Sequence, residues 1–146
     1  MKWVTRKQIR VNRMATAWLI RRFVDRQAEF IFVEPGQVAE MQTQQDAKGF
    51  DAPGAIYPHK DVNGRCSFEA LVEEYCSNDP VLKQIARIVR GADFAEEIDL
   101  TKESSGIRAI SHGFPLIARD DAETVEKACF LYDALYASLQ AELRRT

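Results

Sequence analysis

The sequence predicts an α+β fold: two or three strands near the N-terminus packed against a mostly helical second half. Three observations predict it. Strand-like runs are confined to the stretch before Pro58, and helical periodicity replaces them from Cys66 onward. The first two strand-like runs also flank one helical stretch. A strand–helix–strand opening of that length favours a parallel pair with a right-handed crossover.

Lys2 to Val11 alternates weakly through Trp3, Thr5, Ile9 and Val11, which suits a first strand carrying Arg6 and Arg10 to one side. Asn12 to Phe23 reads as a helix extending towards Asp25, with Asn12 as N-cap. Ala15, Leu19 and Phe23 recur at helical spacing beside Met14 and Trp18, and Arg21-Arg22 interrupts an otherwise apolar run. A helix this apolar is expected to be buried on most sides. Ala28 to Val33 is a second strand, stopped by Glu34-Pro35-Gly36. Gln37 to Lys48 is helix-permissive, anchored by Val38 and Met41, with Gly49 as its end. Phe50 to Tyr57, which holds Pro53 and Gly54, reads as a turn feeding a short edge strand. Pro58 to Arg65 is a loop containing the turn dipeptide Asn63-Gly64.

Ser67 is an N-cap candidate for a helix over Phe68 to Tyr75, and Asp79-Pro80 is a cap-plus-first-position start for the next, which Gly91 would close. Ala92 to Lys102 is an acidic connector. Glu103 to His112 suits a short helix with Gly113 at its end. Asp120 and Glu123 stand in capping-box spacing before a long final helix, striped by Val125, Ala128, Cys129, Tyr132, Leu135, Tyr136 and Leu139.

At 146 residues the chain suits one domain with a core that needs no covalent staples. The apolar fraction of 46% and charged fraction of 29% are those of an ordinary globular protein. The net charge of −2 argues against wholesale nucleic-acid binding but hides an asymmetry. Residues 1–26 hold eight basic side chains against one acid, an excess of +7, and the remainder carries −9. Such an arm marks an anion site or a nucleic-acid contact, or pairs with the acidic remainder. No signal-peptide pattern opens the chain, and no stretch has the ~18–20 apolar residues of a membrane span. Cys66, Cys76 and Cys129 show no zinc or CxxC spacing, so reduced thiols in a cytoplasmic protein are expected. The tyrosine-bearing last helix could serve the core or the seam of a homodimer.

Several segments together resemble a known family. Trp3-Val4-Thr5-Arg6, Asn12-Arg13-Met14-Ala15, Trp18-Leu19-Ile20-Arg21-Arg22-Phe23-Val24-Asp25 and Ala28-Glu29-Phe30-Ile31-Phe32-Val33 occur in order. Phe50-Asp51-Ala52-Pro53-Gly54, His59, Cys66-Ser67-Phe68-Glu69-Ala70-Leu71, Ile88-Val89-Arg90-Gly91-Ala92-Asp93 and Leu131-Tyr132-Asp133-Ala134-Leu135-Tyr136 follow. This succession resembles the chromate-resistance protein family, which includes the C-terminal domain of the regulator encoded with bacterial chromate-efflux operons. Nearly the whole chain is covered, and Trp-Leu-Ile-Arg-Arg-Phe is the specific part. Two positions depart from the pattern: Asn12 replaces an Asp, and Thr16-Ala17 stands where a Cys is expected. The resemblance implies a role in chromate tolerance, through binding or sensing.

Chromate is a tetrahedral dianion, and a receptor for it or for sulfate wants guanidinium forks and backbone N–H groups. Arg6, Arg13 and Arg22 are the anion-binding candidates. Arg13 would sit at a helix N-terminus, where the macrodipole favours an anion. Arg22 lies roughly 12–15 Å further along that helix at 1.5 Å per residue, so it is expected to form a separate ion pair. A second candidate is a divalent metal held by His59, Glu69 and Asp93, with His112 nearby in chemistry but not in motif. A third is redox chemistry at Cys66, where the helix start and Arg65 would lower the thiol pKa. A metal- or thiol-dependent enzyme acting on chromate, or a DNA-binding regulator using the basic arm, are the alternatives. No P-loop, dinucleotide fingerprint or Ser-His-Asp order is present.

Overall fold

The computed structural model describes residues 1–145, and three parallel strands and six α-helices make up the described chain. The sheet has the order β2-β1-β3, with β1 (Lys2–Arg6) in the centre, β2 (Glu29–Val33) on one side and β3 (Ala47–Gly49) on the other. The expected parallel pair is present, in the register Val4 opposite Ile31. Being central, β1 buries Trp3, Val4 and Thr5 on both faces. Alternation sorts the side chains. Trp3, Phe30 and Phe32 face the main core, while Val4, Ile31 and Val33 face a smaller cluster closed by Val38 of α2 (Val38–Gln44).

Helix α1 (Val11–Leu19) is the pillar of the main core, and all nine of its residues are buried. It is gripped by α3 (Ser67–Tyr75), α4 (Pro80–Asp93), α5 (Ser104–Ile117) and α6 (Asp121–Arg144). A helix contacted on every side is expected to be largely apolar, and its three polar residues, Asn12, Arg13 and Thr16, are buried with the rest. Trp18 is its anchor. Its ring stacks on Phe68 and Tyr132, with centroids 6.4 and 5.5 Å away, and its Nε1 donates to Asp133 Oδ1 at 2.8 Å.

The structure corrects several boundaries. The first strand stops at Arg6, because Gln8 turns into the left-handed region at φ 58° and the chain folds back. There Asp121 accepts from the backbone N–H groups of Gln8 and Ile9, both at 3.0 Å, and ties this turn to the start of α6. Arg10, not Asn12, is the N-cap of α1, and Asn12 lies inside the helix. After Leu19 the helix widens into a π-turn over Ile20–Val24, closed by Asp25 N–H donating to Ile20 O at 2.7 Å. The third strand is Ala47–Gly49 and not the stretch after Pro53, of which only a Phe50–Tyr57 bridge forms. Cys66 rather than Ser67 caps α3, and α5 runs past Gly113 and Pro115 to Ile117. Asp79 caps α4 as expected, accepting from Val81 and Leu82 N–H. Among the described residues no helix is long and apolar enough to cross a membrane.

Candidate functional site

Asp51 is the hub on which four of the predicted site residues, Arg6, Arg13, His59 and Asp93, gather. It follows β3 directly. Phe50 N–H donates to Val4 O at 3.0 Å and Asp51 N–H to Tyr57 O at 2.7 Å, so the turn is pinned to the sheet. Asp51 has φ 50°, a left-handed conformation that aspartate tolerates better than most residues. That geometry sends its carboxylate inward, where it is 2% exposed.

Three cationic groups from three elements converge on it. Arg13, in the first turn of α1, donates from Nη1 to Asp51 Oδ2 at 3.1 Å. His59, in the loop after Tyr57, places Nδ1 2.8 Å from Asp51 Oδ1. Arg6, the last residue of β1, donates from Nε to Asp51 O at 2.7 Å and sets Nη2 3.5 Å from Oδ1. Asp93, in the last turn of α4, brings Oδ2 to 3.7 Å from His59 Nδ1. Access is graded. His59 is 45% exposed and Arg6 29%, whereas Asp93 and Arg13 are at 13% and 7%. His59 is thus the outermost member, braced edge-on against Phe94 with ring centroids 5.2 Å apart.

Charge follows from burial and contact. The hydrogen bond to Asp51 raises the His59 pKa, so the ring holds its proton to higher pH than usual. Burial pulls the Arg13 guanidinium down from its ordinary value, opposed by Asp51, and the group stays charged. Burial, reinforced by the Asp51 charge, pushes the Asp93 carboxyl up to about 6.

Five buried side-chain polar atoms among the described residues have no hydrogen-bond partner, and two of them, Arg13 Nε and Asp93 Oδ2, belong to this group; the others are Asn12 Nδ2, Ser111 Oγ and Tyr132 OH. An unpaired buried polar group is costly, so each of these atoms marks a strained position in the core. Asn12 and Thr16 lie one turn apart on the same helix. Thr16 donates to Asn12 Oδ1 at 2.8 Å and pairs with Ser67 Oγ at 3.2 Å, which leaves the Asn12 amide nitrogen free.

Arg6 and Arg13 therefore stand together, while Arg22 lies at the far end and forks onto Asp133 from Nε and Nη2, both at 3.0 Å. The metal trio is not assembled: Glu69 Oε1 accepts instead from Arg90 Nη1 at 2.9 Å and from Cys66 N–H at 3.0 Å. Among the described residues no three His, Cys, Asp or Glu side chains are grouped to hold a metal ion. His112 is exposed on α5. Cys66 is fully buried, and burial pushes its thiol up, not down. The expected help from Arg65 is absent because Arg65 turns to Asp61 at 2.9 Å. Much of the basic arm is engaged internally. Besides these pairs, Lys7 meets Glu34 at 3.3 Å and Arg21 lies over the Phe30 ring at 5.2 Å. Sequence reasoning missed Asp51 as a site residue. Its signal was present in Phe50-Asp51-Ala52-Pro53-Gly54, an acid set in a turn directly after a strand.

The family model described as "ChrB, C-terminal domain" matches residues 3–139. Protein ChrB of Cupriavidus metallidurans is 30% identical over 145 residues, which cover 99% of this chain and 42% of that protein. The chain thus spans about two fifths of the length of this relative. No solved structure matches it.

Proposed function

The chain belongs to the ChrB C-terminal domain family of chromate-resistance proteins, and from that premise we propose that it binds a small tetrahedral oxyanion of the chromate class at the Arg6–Arg13–His59 face. Binding there serves sensing. The observation that carries the reading is the convergence of three cationic side chains on Asp51, with donors left over. Arg13 spends Nη1 on Asp51 and Nη2 on Gln8 O at 2.8 Å, and its Nε is unspent. His59 uses Nδ1 and keeps Nε2 for a ligand, and Arg6 is the fork nearest solvent. Asp51 holds the three in one place as an internal carboxylate, which lowers the cost of gathering like charges before the ligand arrives.

Titration calorimetry with chromate and sulfate tests the reading on the wild type and on Arg6→Gln and Arg13→Lys variants. Arg6 is partly exposed, and an Arg6→Gln variant whose circular dichroism and urea midpoint match wild type isolates binding. Weakening of chromate binding by about tenfold or more in both variants is expected if each loses a charge-assisted contact. Equal heats in wild type and both variants, or no heat in wild type, would overturn it.

A further inference from the structure

We propose that the far end of α1 carries a second anion site, built from Arg21, Arg22 and Arg26 beside Phe23, and that its ligand is a nucleoside monophosphate: the guanidinium groups hold the phosphate and the exposed phenyl ring stacks on the base. The site is separate from the Asp51 group and does not rest on the oxyanion reading, which leaves these arginines without a role.

Two adjoining clefts form it. One, of about 390 Å3, is lined by Arg21, Arg22 and Arg26. The other, of about 270 Å3, is lined by Trp18, Arg22, Phe23, Arg26, Asp133 and Tyr136. Arg22 and Arg26 line both, so one ligand can reach into the two at once. The first cleft is basic and the second has an aromatic wall. Small-molecule sites combine an apolar wall with a few placed polar groups in this way, at volumes of about 300–1,000 Å3.

The backbone explains why the arginines meet. Residues five apart on a regular α-helix point about 140° away from each other. Here the i→i+5 bond from Asp25 N–H to Ile20 O widens the turn, and Arg21 and Arg26 line the same cleft. Single π-turns inside helices are rare and frequently accompany functional sites.

Charge decides what the basic cleft takes. Asp133 accepts from Arg22 Nε and Nη2 and from Trp18 Nε1, which fixes the guanidinium plane and leaves Arg22 Nη1 unspent. Among the described residues Arg21 and Arg26 have no carboxylate within ion-pairing distance. Asp133 offsets Arg22, so two positive charges stay uncompensated, and a phosphate monoester carries close to two negative ones. The helix C-terminus opposes an anion with about half an elementary charge, which the two guanidinium groups outweigh.

The aromatic cleft decides what the phosphate is attached to. Phe23 is 37% exposed. Its ring stands edge-on to Trp18 at 5.5 Å and lies 5.2 Å from Tyr136, contacts that hold it in place while part of it stays open to a flat base. Beyond Phe23 the next cleft is lined in part by Glu74 and Asp79. A nucleic-acid strand would bring further phosphates against those acids, so a single nucleotide fits better than a strand.

The test is calorimetric titration of the full chain with adenosine monophosphate, adenosine, inorganic phosphate and a short single-stranded oligonucleotide. Wild type is expected to bind adenosine monophosphate about tenfold or more tighter than adenosine or phosphate, because only the nucleotide uses both clefts. Arg26 is exposed, and Arg26→Gln should weaken adenosine monophosphate about tenfold. Phe23→Leu keeps an apolar side chain against Trp18 and should cost the nucleotide about fivefold or more while leaving phosphate unchanged. No heat with adenosine monophosphate, or affinity no better than that of phosphate, would overturn the proposal. So would unchanged nucleotide binding in Arg26→Gln, or binding lost in Arg6→Gln instead, which would place the phosphate at the Asp51 group. An oligonucleotide that binds tighter than the mononucleotide would overturn it in favour of a strand. If Phe23→Leu does not fold, the wild-type ratios and Arg26→Gln decide.

Discussion

His59 Nδ1 lies 2.8 Å from Asp51 Oδ1, and this contact joins the most exposed member of the site to its most buried one. The charged imidazole is favoured, and its pKa is raised in the folded protein. The stabilisation from the protonated ring is fully present below the ordinary histidine pKa. It is lost as pH rises through the folded value. Proton NMR titration should place the His59 midpoint above that of a model histidine, and Asp51→Asn should bring it back. An unshifted His59 in wild type would break the link.

Removing Asp51 should cost far more than removing a surface acid. Arg13 would be left buried with its main countercharge gone, a loss of about 3–5 kcal/mol for a broken buried pair. Arg22 and Asp133 form a fork of similar length, but both are more than two fifths exposed, and Arg22→Ala should cost under ~1 kcal/mol. Urea denaturation of Asp51→Ala and Arg22→Ala compares the two directly. Similar midpoints would mean that burial does not set the value of these pairs.

Thiol reactivity should be confined to one cysteine. Burial raises all three thiols, so access decides, and Cys66 and Cys129 are buried. Cys76 is partly exposed at the end of α3. Titration of the native protein with an aromatic disulfide reagent should show one fast thiol, and three after unfolding. A fast second thiol, lost in Cys66→Ser, would restore the redox reading of that residue.

How far the sequence was legible depended on whether a feature was local. The β1–α1–β2 opening and the Asp79-Pro80 start announced themselves through periodicity and capping chemistry, which act over a few residues. Ala47-Lys48-Gly49 carries no strand propensity and becomes β3 because β1 offers it an edge. Arg6 and Arg13 were legible as a pair, since strand end and helix start must be adjacent. Asp51 was not, because its role depends on a left-handed turn that returns a carboxylate beneath both arginines. Glu69 was misassigned because nothing in its own segment reveals that Arg90, twenty-one residues on, claims it.

Gly91 shows the same limit and yields the last prediction. A glycine after Ile88-Val89-Arg90 looks like a helix terminator, yet α4 continues through it to Asp93. Its purpose is close approach. A β-carbon at Gly91 would collide with the Ser104 side chain of α5 and sit 3.0 Å from Glu97 O. Ser104 cannot retreat freely, because its hydroxyl donates to Ile88 O at 3.0 Å. Gly91→Ala therefore loses more in overpacking, about 1–3 kcal/mol, than it gains in helix propensity, about 0.5–1 kcal/mol. Gly106, on the exposed side of α5, has nothing within 4 Å of the same added atom. Gly106→Ala should stabilise by about 0.4–1 kcal/mol through the unfolded chain alone. Opposite shifts in the urea midpoint are expected from these two identical substitutions, and a stabilised Gly91→Ala would mean that α4 and α5 pack less tightly than their backbones indicate.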